Sequence, residues 1–135
     1  LQNINGCGDE EWVNVLPPRQ FLKRYVFFTD PTYSTTTLAV TRVKGEKGFL
    51  PVTIACLGEV ANWMPVGAEG KYEVAHVDLR RAGMAMGTCA TSQHVAESEG
   101  AFGVTVWGLD WFASYAYPAG GNVGTINEVK VPVPF

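Results

Sequence analysis

Residues 50–56 read LPVTIAC, with Leu50, Val52, Ile54 and Cys56 on one parity and Pro51, Thr53 and Ala55 on the other. A period of two is the pattern of a strand with one face in a core. Pro51 lies near the start of the run, where its missing N–H is tolerated, and Cys56 is expected to point inward. The preceding run, 35–43 (TTTLAVTRV), repeats the pattern: Leu38 and Val40 share one face, while Thr35, Thr37 and Thr41 turn to solvent. Between them Gly45-Glu46-Lys47-Gly48 reads as a polar hairpin loop with no Walker pattern around it.

The same chemistry extends in both directions. Residues 25–29 (YVFFT) form an unbroken apolar run, which predicts a strand buried on both faces. Asp30-Pro31 then forces a turn, because a residue before proline is pushed out of the helical region. Residues 72–79 predict another strand, with a partly buried His76 on the face of Tyr72 and Val74. The Ala and Met content of 84–100 allows one helical turn, interrupted by Gly83, Gly87 and Thr88. Residues 102–117 (FGVTVWGLDWFASYAY) are the aromatic centre of the chain. Val104 and Val106 alternate there, and the parity fails after Gly108, which predicts a bulge. At 129–135 (VKVPVPF), Pro132 and Pro134 remove N–H groups from one lateral edge and predict an edge strand.

These runs specify an all-β fold, an antiparallel β-sandwich-like domain of about seven to nine short strands with little helix. The 135 residues fit one domain, 1–135, and a 47% apolar, 17% charged composition supplies a core and excludes intrinsic disorder. Ten basic against 13 acidic residues, a net charge of -3, argue against a nucleic-acid surface. Apolar runs of only a few residues exclude membrane insertion by a helix. With no initiator Met and no signal peptide, Leu1 is read as a processing boundary.

Cys7, Cys56 and Cys89 match no zinc or thioredoxin spacing, and neither His76 nor His94 stands at a ligand interval from a cysteine. A secreted domain with one disulfide and one leftover thiol is preferred over three free cysteines. Cys56 and Cys89 both follow apolar strand signals and are the expected pair. Their closed loop would stabilise by roughly 4 kcal/mol in the chain-entropy model. A Cys89–His94 nucleophile is set aside in favour of a disulfide half and a surface-loop histidine. Glu97 and Glu99 read as a solvated turn rather than an acid–base pair. Asp9, Glu10 and Glu11 lack the D-x-D-x-D-G pattern of a calcium loop, so no metal and no cofactor is expected. Arg80-Arg81, balanced by Asp78, reads as a strand end facing water. Trp107, Trp111, Tyr115 and Tyr117 share one parity, and the choice for them lies between core packing and a platform for sugars.

Four stretches together resemble the bacterial relatives of the IgGFc-binding protein N-terminal domain: 25–33 (YVFFTDPTY), 52–56 (VTIAC) followed by Trp63, 102–108 (FGVTVWG) and 114–120 (SYAYPAG). The last two are the most specific, and the resemblance covers about residues 12–125. That family is a secreted, adhesive, β-rich module of large extracellular and surface proteins, with known binding associations in mucin-like animal members. The family domain is about twice as long, so the chain resembles its C-terminal half. No catalytic or ligand-binding motif of the family maps onto positions here. The resemblance implies a non-catalytic binding, adhesion or assembly module, extracellular or at the cell surface, with a protein or glycan partner. Self-association, or a companion segment of the same precursor, is expected to fill an uncovered edge or face. The alternative is a carbohydrate-binding or carbohydrate-active domain using the aromatic platform.

Overall fold

A strand of 18 residues runs through the centre of the structure, a computed structural model that describes residues 8–123. In chain order, a 3-10 turn at Pro18–Gln20 precedes β1 (Leu22–Phe28), β2 (Thr35–Val43), β3 (Val52–Ile54), β4 (Gly58–Glu59) and β5 (Met64–Val66). There follow β6 (Tyr72–Arg81), β7 (Met84–Ala85), the long β8 (Gln93–Asp110) and β9 (Ala113–Pro118). Every pairing is antiparallel and all nine strands join one curled sheet, with no α-helix among the described residues. The edge strand expected over 129–135 and the thiol of Cys7 lie outside the described residues.

The register shows how β8 organises the sheet. Phe102 is paired with Leu22 of β1 and also with Arg42 of β2. A strand residue has one partner per lateral edge, so β1 and β2 lie on opposite edges of β8. Ala96 is likewise shared by Tyr25 of β1 and Ile54 of β3, and Thr105 by Ala39 of β2 and Pro118 of β9. One edge of β8 therefore carries β1 and then β9, and the other carries β3 and then β2. Beyond β2 the sheet continues through β6 to the short β5 and β7.

The longer strands and β3 turn one shared face inward. Ala96, Phe102, Val104 and Val106 of β8 meet Tyr25 and Phe27 of β1, Leu38 and Val40 of β2, and Val52 and Ile54 of β3. Ala75 and Leu79 of β6, with Val60 and Cys89 from the connecting segments, complete a single buried cluster. The Tyr25 hydroxyl stays satisfied inside it by donating to the Phe102 carbonyl at 2.6 Å and accepting from the Leu22 N–H at 2.9 Å. At one end of this face Arg42 is half-buried: it pairs with Glu73 at 2.6 Å, donates to the Leu50 carbonyl and lies 4.0 Å from the Trp63 ring centroid.

Five sequence readings need correction. β1 is buried on one face only, because Val26 and Phe28 are 46% and 59% exposed while Tyr25 and Phe27 are core. His76 is exposed, since its parity on β6 faces away from the cluster. Residues 84–100 contain no helical turn; they form β7 and the start of β8, so Glu97 and Glu99 sit on a strand. His94 is a buried strand residue rather than a loop histidine. Gly108 marks no bulge, because the β8–β2 and β8–β9 registers both run through it unbroken. It is glycine for a different reason. A Cβ there would stand 2.0 Å from Cε1 of Tyr115, so its ring occupies the space a side chain would need. Gly108→Ala is therefore expected to destabilise by ~1–3 kcal/mol through overpacking, read as a lower urea midpoint at unchanged slope.

Candidate functional site

The exposed side of β1 results from strict alternation in a sheet whose other face is full. Around Val26 and Phe28 the outward neighbours follow from the register: Val95 opposite Val26, Glu97 opposite Arg24, and Thr53 opposite Glu97. Arg24 and Glu97 form an ion pair at 2.6 Å, more than half exposed on both sides, which orients the two chains and adds little stability. A hollow of about 210 Å³ between β3 and β8 is lined by Thr53, Ala55, Val95 and Glu97. It shares Thr53 and Glu97 with a polar depression of about 570 Å³ that reaches Lys23, Arg24 and Glu99. In the other direction Phe28 forms one wall of a third, shallow trough of about 650 Å³, with Asp30, Pro31, Ser92, Tyr115 and Tyr117. The outward surface along β1 is thus apolar at Val26 and Phe28 and charged beside Arg24, and where β1 ends it meets the trough, whose two tyrosines take the inward parity of Val106 and Gly108 and pack against the core.

Tyr115 and Tyr117 arrive in this trough through the parity of their hairpin. The β8–β9 connection has two loop residues, Trp111 and Phe112, with Phe112 at a positive φ of 50°. A two-residue loop pairs odd positions of β8 with even positions of β9. Tyr115 and Tyr117 therefore lie with Gly108 and Val106, whereas Trp107 pairs with Ala116 on the other face. Trp111 stands at the hairpin tip, 67% exposed beside Phe112. The four aromatic residues that share a parity in the sequence thus occupy three different places, and only the two tyrosines stay together, stacked at 6.4 Å.

Their hydroxyls are occupied. Tyr117 accepts from the Phe28 N–H at 3.1 Å and donates to the Phe28 carbonyl, and Tyr115 accepts from the Asp30 N–H at 3.0 Å. The phenols therefore occupy hydrogen-bonding positions where β1 ends, as a neighbouring strand would. Burial pushes the Tyr117 hydroxyl above its ordinary pKa, against the opposing effect of its bond to Phe28. Asp30 moves the other way, since the hydroxyl and N–H of Thr32 both donate to its Oδ1, at 2.6 and 2.9 Å, and hold the carboxyl below its usual range. The trough thus carries a negative charge beside two ring faces.

The disulfide joins Cys56 to Cys89, 33 positions apart, as the strand signals predicted. Cys89 is thereby engaged, and His94 packs beside it as a buried imidazole. Nε2 of His94 meets the Thr29 hydroxyl at 2.9 Å, Nδ1 lies 3.7 Å from Cys56 Sγ, and burial pushes its pKa down. These three are the one group of potential metal-ligating residues among those described, so Asp9, Glu10 and Glu11 do not converge. Asp9 and Glu11 instead engage Ser114 at the start of β9. Sequence reasoning missed the outward role of Val26 and Phe28. The signal available was Arg24, two positions before Val26, which marks that parity as wet.

The family model described as IgGFc binding protein matches residues 2–108. The chain belongs to the IgGFc-binding protein family. It is a family of binding domains not known for catalysis, typically extracellular. The match takes in β1 through most of β8, so it includes the outward face of β1 and leaves the two trough tyrosines outside. No curated protein and no solved structure matches the chain.

Removing the Tyr117 hydroxyl leaves both backbone groups of Phe28 without that partner, whereas Tyr115 serves one group. Tyr117→Phe is expected to cost ~1 kcal/mol in chemical denaturation, and Tyr115→Phe less. For Tyr25 and Tyr117 the folded pKa is raised, so the folded state holds its protons at pH values where the unfolded chain has lost them. Their contribution is complete below about pH 10 and is lost as pH rises through the folded values, so unfolding midpoints should fall above about pH 10.

Proposed function

We propose that this protein is a secreted, non-catalytic protein-binding module that engages its partner through the outward face of β1 and the adjoining trough. The observation that carries this reading is the exposure of Val26 and Phe28 on a strand anchored from behind by Tyr25 and Phe27. Neighbouring apolar groups presented on a rigid strand, with charged side chains at the margins, have the composition of an interface centre and rim. Family membership supports a protein ligand, and the disulfide fits an oxidising, extracellular setting. A second copy of the chain or a companion segment of the same precursor would use the same face.

The stacked faces of Tyr115 and Tyr117 favour a second reading, in which the trough holds a sugar ring. That reading is weaker because both hydroxyls are bonded to the main chain, Tyr117 to Phe28 at the end of β1 and Tyr115 to Asp30 just beyond it. The two are separated by probing the purified chain against arrayed extracellular proteins, immunoglobulin Fc among them, and against arrayed glycans. The expected result is a saturable protein ligand whose affinity falls at least about tenfold, 1.4 kcal/mol, in Phe28→Asp with the far-ultraviolet spectrum unchanged. Binding to glycans alone, lost in Tyr115→Ala and indifferent to Phe28→Asp, would reverse the assignment.

A further inference from the structure

The surroundings of the disulfide, which adjoin the trough through Thr29 and Ser92, point to a second chemistry. Cys56 lies in the turn after β3, held to β8 by the Ala55 N–H donating to the Val95 carbonyl at 2.9 Å. Cys89 lies in the segment after β7, which is bonded to Cys56 independently of sulfur: the Thr88 N–H and hydroxyl both donate to the Cys56 carbonyl at 3.1 Å. The approach is so close that a Cβ on Gly87, at φ +52°, would stand 2.6 Å from that same carbonyl. Main-chain contacts of this kind tie the two cysteine segments together independently of the sulfur–sulfur bond. Beside them His94 is fixed by the β8 backbone and by its contact with Thr29, whose hydroxyl also reaches the Ser92 carbonyl at 3.5 Å. In the tautomer that carries its proton on Nε2, the ring donates to the Thr29 hydroxyl and Nδ1 presents a lone pair toward Cys56 Sγ.

We propose that the reduced protein binds a thiophilic divalent cation of the zinc class through Cys56 Sγ, Cys89 Sγ and His94 Nδ1. One donor atom from each residue already lies within 4.8 Å of the others, and Cys56 Sγ and Nδ1 are 3.7 Å apart. Tetrahedral zinc with sulfur and nitrogen ligands requires ligand separations of about 3.5–3.8 Å, so the largest adjustment is the parting of the two sulfurs. The balance is simple. A dithiol or phosphine reductant supplies two electrons, the disulfide takes them with two protons to give two thiols, and the cation then binds as thiolates form and two protons leave to solvent. Cys89 and His94 are buried and Cys56 is half-exposed, which leaves one side of the cation open to water as fourth ligand. The Thr29 contact corresponds to the outer hydrogen bond that fixes ring orientation in histidine metal sites. The sequence hides this set because its three members come from a turn, a loop and a strand with no motif spacing.

The test is a cobalt titration of the full chain carrying Cys7→Ser, so that the third thiol cannot contribute, after reduction with a phosphine. One equivalent of Co2+ should bring up thiolate-to-cobalt charge transfer and the intense visible bands of a tetrahedral ion, while the oxidised protein shows neither. Cys89→Ser should abolish the charge-transfer signal of a two-thiolate site, and His94→Ala should weaken binding at least about tenfold. Zn2+ should raise the melting temperature of the reduced protein, because a ligand that binds only the folded form stabilises it. A nitrogen chemical-shift change at His94 Nδ1 on adding Zn2+ to the unsubstituted histidine gives a reading that does not depend on the variant folding. Absence of the cobalt bands in the reduced protein, equal affinity in a folded His94→Ala, or an unmoved Nδ1 resonance would each overturn the proposal.

Discussion

Two partners at one residue set the architecture. At Phe102 the backbone of β8 is held by β1 on one edge and β2 on the other, while its side chain fills the core. Because β8 is long enough to take two strands on each edge, the remaining strands are arranged by reference to it. The inward parity of β8 then dictates the parity of each neighbour, since paired residues share a face. A single core results, and among the described residues no α-helix covers a second face, so the outward surface of the sheet must be wet, covered or used.

That consequence is visible in β1. Its sequence contains more apolar side chains than one face can absorb, so Val26 and Phe28 emerge opposite Tyr25 and Phe27. The same strand is also a potential edge, and unpaired strand groups invite uncontrolled pairing. The structure answers with the phenols of Tyr117 and Tyr115, which bond the main chain of Phe28 and Asp30. Aromatic residues thus do two jobs here, packing through their rings and terminating a strand through their hydroxyls. The side chains that remain exposed beside them are Val26 and Phe28 of β1 and the carboxylate of Asp30.

The disulfide region obeys a different logic. The Cys56 turn and the Cys89 loop are joined by main-chain hydrogen bonds as well as by sulfur, and a buried imidazole stands against the bond. In the oxidised protein these groups act as a staple with a packed histidine behind it. The non-covalent contacts add to the staple, because they join the two cysteine segments through the main chain as well as through sulfur.

Much of the fold was legible in the residues themselves. The period of two in 35–43 and 50–56 identified β2 and β3 and their inward side chains, and the shared strand signals before Cys56 and Cys89 identified the pair. Those features are local, set by which side chains can sit on a pleated surface and by which turns the backbone permits. The candidate site was not legible in the same way. YVFFT does not reveal that only half its side chains find a core, because that depends on β8 filling one face and nothing described covering the other. Tyr115 and Tyr117 share sequence parity with Trp107 but not its face, because a two-residue loop inverts the correspondence between the paired strands. His94 lies five residues from Cys89, yet it faces Cys56 through the pairing of β3 with β8. The sequence by itself determined strand chemistry, class and staple; the tertiary structure decided which faces and edges meet, because register and curl are settled by contacts between residues far apart in the chain.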